Sequence, residues 1–137
     1  MTQQERGNNS TVENQEAITK ATIAAVEIFC EAFNKHDLDT VMAAMTDDCV
    51  LEGVSPYPHG TRYEGQAAVR ARWEAVFSAY PDLWYETEEM FAVGDRCVLR
   101  SVGHRTDKDG EPERYRGVDI FRVRNGKVAE KLFYTKR

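Results

Sequence analysis

No stretch of the chain approaches the ~18–20 consecutive apolar residues that a membrane-spanning helix needs, so a helical span is excluded. Basic residues do not dominate. With a net charge of −5, nucleic acid and anionic membrane surfaces are excluded as partners, since such binding needs a clustered basic face. Cysteine is scarce: Cys30, Cys49 and Cys97 are odd in number and widely spaced, giving no disulfide framework and no CxxC metal or redox motif. They read as reduced core residues. Neither a GxGxxG turn nor a GxxxxGK(S/T) loop occurs, so no nucleotide cofactor is indicated. His59, His104, Glu52 and Asp119 have no metal-ligand spacing, and neither a metal nor another cofactor is expected. Met1 to about Asn14 lacks the apolar segment and cleavage site of a secretory signal and is rich in Gln, Asn, Ser, Thr and Glu. Residues 1–14 therefore read as a tail on a cytoplasmic protein.

What is present is one domain, residues 15–137, in a chain of 137 residues that is 42% hydrophobic and 30% charged. Ile18, Ala21, Ala25, Ile28, Phe29 and Ala32 recur at helical spacing between about Val12 and Phe33. Asp37 can cap a second helix through Leu38, Val41, Met42 and Met45, ending at Thr46-Asp47-Asp48. Cys49 to Glu52 reads as a short strand, and the Pro- and Gly-bearing segment Gly53 to Gly65 as a loop. A third helix from about Gln66 to Tyr80 carries the stripe Val69, Trp73, Val76, Phe77 and Tyr80, and Pro81 stops it. The period then changes to alternation, with strands near Trp84–Val93, Cys97–His104, Arg114–Arg124 and Val128–Thr135. Short connections between them imply antiparallel hairpins, and Asn125-Gly126 suits a two-residue type I′ turn. Helices first and a meander afterwards make an α+β fold, three N-terminal helices packed on a curved, mainly antiparallel sheet.

Within the last hairpin, Asp119 shares a strand face with Phe121 and Val123, while Ile120, Arg122 and Arg124 take the other face. A carboxylate turned toward the core must be paired, hydrogen-bonded or kept protonated. Asp119 is thus either a poised acid or a structural anion answered by backbone or arginine.

The element order, Phe33-Asn34-Lys35-His36-Asp37-Leu38-Asp39, Asp47-Asp48-Cys49-Val50, Tyr63-Glu64-Gly65, and the closing Asp119-Ile120-Phe121-Arg122 with Asn125-Gly126-Lys127-Val128 resemble the nuclear transport factor 2-like superfamily over about residues 16–135. Within it the chain is most similar to SnoaL-type polyketide cyclases and ketosteroid isomerases. The resemblance implies a cone-like α+β barrel around a deep apolar pocket, usually in a homodimer. Ketosteroid isomerases use a helix Tyr, a base Asp after the first strand and a protonated late-strand Asp. Asp119 matches the last, whereas Phe29 and Gly53 stand at the other two positions and Glu52 points away, so true ketosteroid isomerase action is not expected. SnoaL-type cyclases pair a strand His with a later Asp, and His104 and Asp119 have that order. Limonene-epoxide-hydrolase-like members use an Asp-Arg-Asp relay, of which Arg100 and Asp119 could supply two parts.

The expected catalytic residues are therefore Asp119 and His104, with Val98, Arg100, Val102 and His104 taken to share one strand face opposite Asp119. Trp73, Phe77, Val102 and Phe121 are expected to line the pocket, with Tyr57, His59 and Tyr63 at its mouth. Arg100 is a ligand contact or the ion-pair partner of Asp119 or Glu52. Ile120 and Phe133 are expected on the outer face, where they would bury a homodimer contact. The function expected is a cofactor-independent acid/base enzyme of isomerase, cyclase or lyase type, acting on a small apolar carbonyl-containing molecule. The alternatives are a non-catalytic small-molecule-binding or dimerisation domain and, behind it, an epoxide hydrolase.

Overall fold

A computed structural model describes residues 3–136, with side chains from residue 11. α1 spans Gln3–Asn34, so helix takes in residues that the composition assigned to a tail; Met1 and Thr2 of that stretch lie outside the described residues. α2 (Leu38–Ala43) is capped by Asp37, whose side chain accepts from the Thr40 amide. β1 (Met45–Glu52) and β2 (Arg62–Glu64) precede α3 (Gln66–Ala79). The meander follows as β3 (Trp84–Val93), β4 (Arg96–Thr106), β5 (Pro112–Arg124) and β6 (Lys127–Lys136). No helix of the described residues is long and apolar enough to cross a membrane.

Two local readings change. Met45 opens β1 instead of closing α2, because it pairs with Val128 across a parallel ladder. Within the Gly53–Gly65 segment, residues 62–64 form a short strand against Leu51 and its neighbours. The result is one curved six-stranded sheet, ordered β2-β1-β6-β5-β4-β3, with the helices packed on its inner face. At the last hairpin Asn125 and Gly126 both take positive φ, 54° and 73°, as a type I′ turn requires.

The core is the meeting of three surfaces. Ala25, Val26 and Phe29 of α1 and Trp73 of α3 close over Leu99, Phe121 and other inward residues of the sheet, each buried Val, Leu or Phe among them contributing about 1.5–3 kcal/mol by leaving water. Phe29 sits at the centre, with ring centroids 5.4 Å from Trp73 and 5.8 Å from Phe121.

Two glycines shape the inner face. A Cβ on Gly103 would lie 2.6 Å from the Tyr115 ring, and one on Gly117 would lie 2.6 Å from the Phe133 ring. Both rings therefore rest directly on the sheet backbone.

Strand register decides which residues face the helices. Asp119 pairs with Leu99 on one side and with Phe133 on the other. Directly opposed residues share a face, so Leu99, Ser101, Gly103 and Arg105 point inward with Asp119. Val98, Arg100, Val102 and His104 point outward, the reverse of the expected assignment. On β6 the register shifts between Arg122 and Val123 of its partner. That bulge places both Val128 and Ala129 against the core and turns Lys131 and Phe133 inward. Phe133 is thus an inner residue, and Leu132 pairs with Ile120 on the outer face.

Candidate active site

Between α1, α3 and the inner sheet face lies a cavity of about 360 Å³. Its walls include Phe29, Phe33, Trp73, Leu99, Phe121 and Phe133, an apolar lining of the kind that takes small organic molecules. Asp119 and Lys131 both open into it. They come from adjacent strands at diagonal positions, since Asp119 opposes Phe133 and Lys131 opposes Phe121. Lys131 Nζ donates to Asp119 Oδ1 at 2.6 Å. Asp119 is 4% exposed and Lys131 9%, so this is a desolvated ion pair.

Burial pushes the Asp119 carboxyl above its ordinary range, and the charge and hydrogen bond of Lys131 act against that rise without cancelling it. The Lys131 ammonium lies 4.7 Å from the Phe133 ring centroid and 6.0 Å from that of Phe121, within cation–π range. Cys30 also lines the cavity. Its thiol is pushed up to about 12, first by burial and then by the Asp119 charge.

A second polar group stands further along the sheet. Tyr85 and Tyr115 hydroxyls are hydrogen-bonded at 2.6 Å, and burial, then Tyr115, hold the Tyr85 phenol well above its usual range. The Arg105 guanidinium lies 4.0 Å from the Tyr80 ring centroid and 4.9 Å from that of Tyr115, while its Nε donates to Glu113 at 2.8 Å. Between the two groups, Ser101 is 1% exposed, and its hydroxyl has no hydrogen-bond partner among the described residues.

The SnoaL-like domain matches residues 26–131, most of the chain. The chain belongs to the SnoaL-like domain family. Among solved structures, a nuclear transport factor 2-like protein of unknown function from Mesorhizobium loti is 29% identical at a TM-score of 0.73, over 87% of this chain and 93% of that one. A LEH-like epoxide hydrolase of M. tuberculosis is 22% identical, TM-score 0.73, over 86% and 84%. IdmH, a candidate polyketide cyclase from Streptomyces antibioticus, is 22% identical, TM-score 0.71, over 84% and 91%. The last two show the fold alone. No curated protein matches the chain.

Of the residues expected at the site, this SnoaL-like domain brings Asp119, Trp73 and Phe121 together in the cavity. His104 is not with them. It lies on the outer face, stacked on Trp84 with centroids 4.4 Å apart and hydrogen-bonded to Glu86 Oε1 at 3.0 Å. Five positions along β4 from the residue that opposes Asp119, it is displaced by roughly 17 Å at ~3.4 Å per residue. The His–Asp pair that the resemblance implied is therefore not formed. Arg100 faces outward too, 4.0 Å from Glu89, and does not answer Asp119; Val102 shares that outer face.

The loop residues are also elsewhere. Tyr57 is 68% exposed and His59 is exposed, while Gly53, Val54 and Ser55 of the same loop do line the cavity. Tyr63 packs half-buried against the core with the Arg72 guanidinium 5.8 Å from its ring centroid. Phe77 sits behind the wall, 4.9 Å from Phe33 and stacked at 4.2 Å on His36. Phe29 and Gly53, the positions where the isomerase pattern has a hydroxyl and a base, both line the cavity, and neither side chain can move a proton.

Lys131, Ser101, Tyr85 and Tyr115 were not singled out from the sequence. Strict alternation from Asn125-Gly126 sets Leu132 opposite Asp119 and turns Lys131 to solvent. Only the bulge reverses this, and its one trace is the consecutive apolar pair Val128-Ala129, both buried.

Proposed function

We propose that this SnoaL-like domain is a cofactor-independent acid/base enzyme of isomerase, cyclase or lyase type, acting on a small apolar carbonyl-containing molecule held in the cavity. The observation that carries the reading is the desolvated Asp119–Lys131 pair opening into an aromatic-walled space of about 360 Å³. As carboxylate, Asp119 takes the proton from a carbon next to the carbonyl; the electron pair left behind spreads onto the carbonyl oxygen, where the positive charge of Lys131 stabilises it. Return of the proton at another carbon completes an isomerisation, and attack of the same carbanion on a second carbonyl, whose oxygen takes the proton from Asp119, would close a ring. The raised carboxyl of Asp119 suits the first step, because burial that raises a carboxyl makes its carboxylate the stronger base. Three free thiols fit a reducing, cytoplasmic setting.

The test uses a general carbon acid. The protein is incubated with an apolar cyclic ketone in D2O, and deuterium entry beside the carbonyl is followed by NMR. Exchange above buffer that Asp119→Asn abolishes supports the reading; binding of the ketone without exchange refutes the enzyme.

The second reading, a non-catalytic binding domain, is favoured by Phe29 and Gly53, cavity residues that cannot move a proton. In either reading the outer sheet face supports a homodimer: Trp84, Phe91, Val93 and Tyr134 are exposed there, beside Ile120 and Leu132.

A further inference from the structure

Apart from its tyrosines and the exposed Ser55 and Thr87, the cavity lining holds three nucleophilic side chains, Cys30, Ser101 and Lys131. Cys30 stays S–H at neutral pH with its thiol pushed up to about 12. Ser101 has no base in hydrogen-bond contact among the described residues. Lys131 does have one, Asp119 Oδ1 at 2.6 Å.

We propose that Lys131 condenses with the carbonyl group of the cavity's ligand to form an imine, Asp119 ferrying the protons. This rests on the carbonyl-binding reading above. A proton passes from the Lys131 ammonium to the Asp119 carboxylate along their hydrogen bond. The freed amine lone pair then attacks the carbonyl carbon, the C=O π pair moves to oxygen, and a proton moves from nitrogen to that oxygen to give the carbinolamine. The nitrogen pair next expels the hydroxyl, which takes the proton back from Asp119 and leaves as water. One ammonium and one carbonyl have become one protonated imine and one water, and Asp119 is a carboxylate again.

Three features support this chemistry over a purely structural pair. A buried ion pair stabilises a fold no better than apolar residues of similar volume do, so stability gives little reason for the amine to be here. The Phe121 and Phe133 ring centroids lie 6.0 and 4.7 Å from the nitrogen and give an apolar ligand a surface to rest on beside it. A protonated imine also acidifies the neighbouring carbon, leaving Asp119 beside the proton it is proposed to remove. The positive charge next to the reacting carbonyl is then supplied by a covalent bond.

The full-length protein is incubated with 2-naphthaldehyde and sodium cyanoborohydride, and the reduced adducts are mapped by peptide mass spectrometry. Binding is read separately from quenching of Trp73, which lines the cavity, in a Trp84→Phe background. The expected result is quenching together with one adduct per chain on Lys131, at least tenfold above exposed Lys108, Lys127 and Lys136, and its loss in Lys131→Arg. Quenching with no enrichment at Lys131 overturns the imine and leaves the carbonyl-binding reading standing. Absence of quenching overturns both. The map of the unmodified protein decides the matter even if the variant fails to fold.

Discussion

Lys131 reaches Asp119 because β6 carries one extra residue. Without the register shift opposite Arg122 and Val123, Leu132 would oppose Asp119 and the carboxyl would face an apolar neighbour. With it, Lys131 and Phe133 enter the cavity and the carboxyl gains a 2.6 Å ammonium partner.

Replacing Lys131 by Met leaves Asp119 buried with burial acting on it alone, so its carboxyl should rise further. A folded-state carboxyl raised above its unfolded value binds its proton more tightly when folded. Its contribution to stability is complete below the ordinary carboxylate range and is lost as pH rises through the raised value. Lys131→Met should therefore cost about 3–5 kcal/mol at pH 8, and less at pH 4, since the raised carboxyl takes up its proton as pH falls. Thermal melts at the two pH values check this; an equal loss at both would contradict it.

Ser101→Ala removes a buried hydroxyl with no partner among the described residues. An unsatisfied buried polar group costs about 1–3 kcal/mol, so the variant should be at least as stable as the parent in urea melts. A clear loss of stability would show that the hydroxyl is satisfied.

At Gly103 an added methyl meets the Tyr115 ring at 2.6 Å. Gly103→Ala should destabilise by about 1–3 kcal/mol through overpacking and displace Tyr115 from Tyr85. Chemical denaturation measures the first effect, and a changed tyrosine ultraviolet spectrum reports the second.

His104→Ala should leave ketone exchange unchanged, since His104 contacts Trp84 and Glu86 on the outer face. Abolished exchange would return His104 to the site. On that same face, Ile120→Lys should convert the proposed homodimer to monomer in light scattering at micromolar concentration; a parent protein already monomeric would remove the dimer.

Much of the fold was legible because period and punctuation act locally. Val69, Trp73 and Val76 mark α3, Pro81 ends it, and Asn125-Gly126 forces the last hairpin. Asp119 and Phe121 were legible as inward residues for the same reason, alternation within one strand. Which β4 residues stand beside them depends on pairing across a hairpin, where a slip of one position moves every side chain to the other face. His104, Arg100 and Val102 were misplaced together by that single slip. Lys131 was hidden by the bulge, and Tyr85 and Tyr115 by their separation of 30 residues along the chain. Tyr57 and His59 were placed by loop composition, which says that a loop exists but not which of its residues turn inward.

The most direct test is to titrate the Asp119 side-chain carboxyl itself, by NMR of protein carrying 13C in the aspartate carboxyls and assigned with Asp119→Asn. A midpoint above the ordinary ~3.9 of aspartate is expected, moving higher still in Lys131→Met, with ketone exchange rising through the same midpoint. A midpoint at or below the ordinary value, or exchange indifferent to it, would contradict the assignment of Asp119 as the acid and base of this cavity.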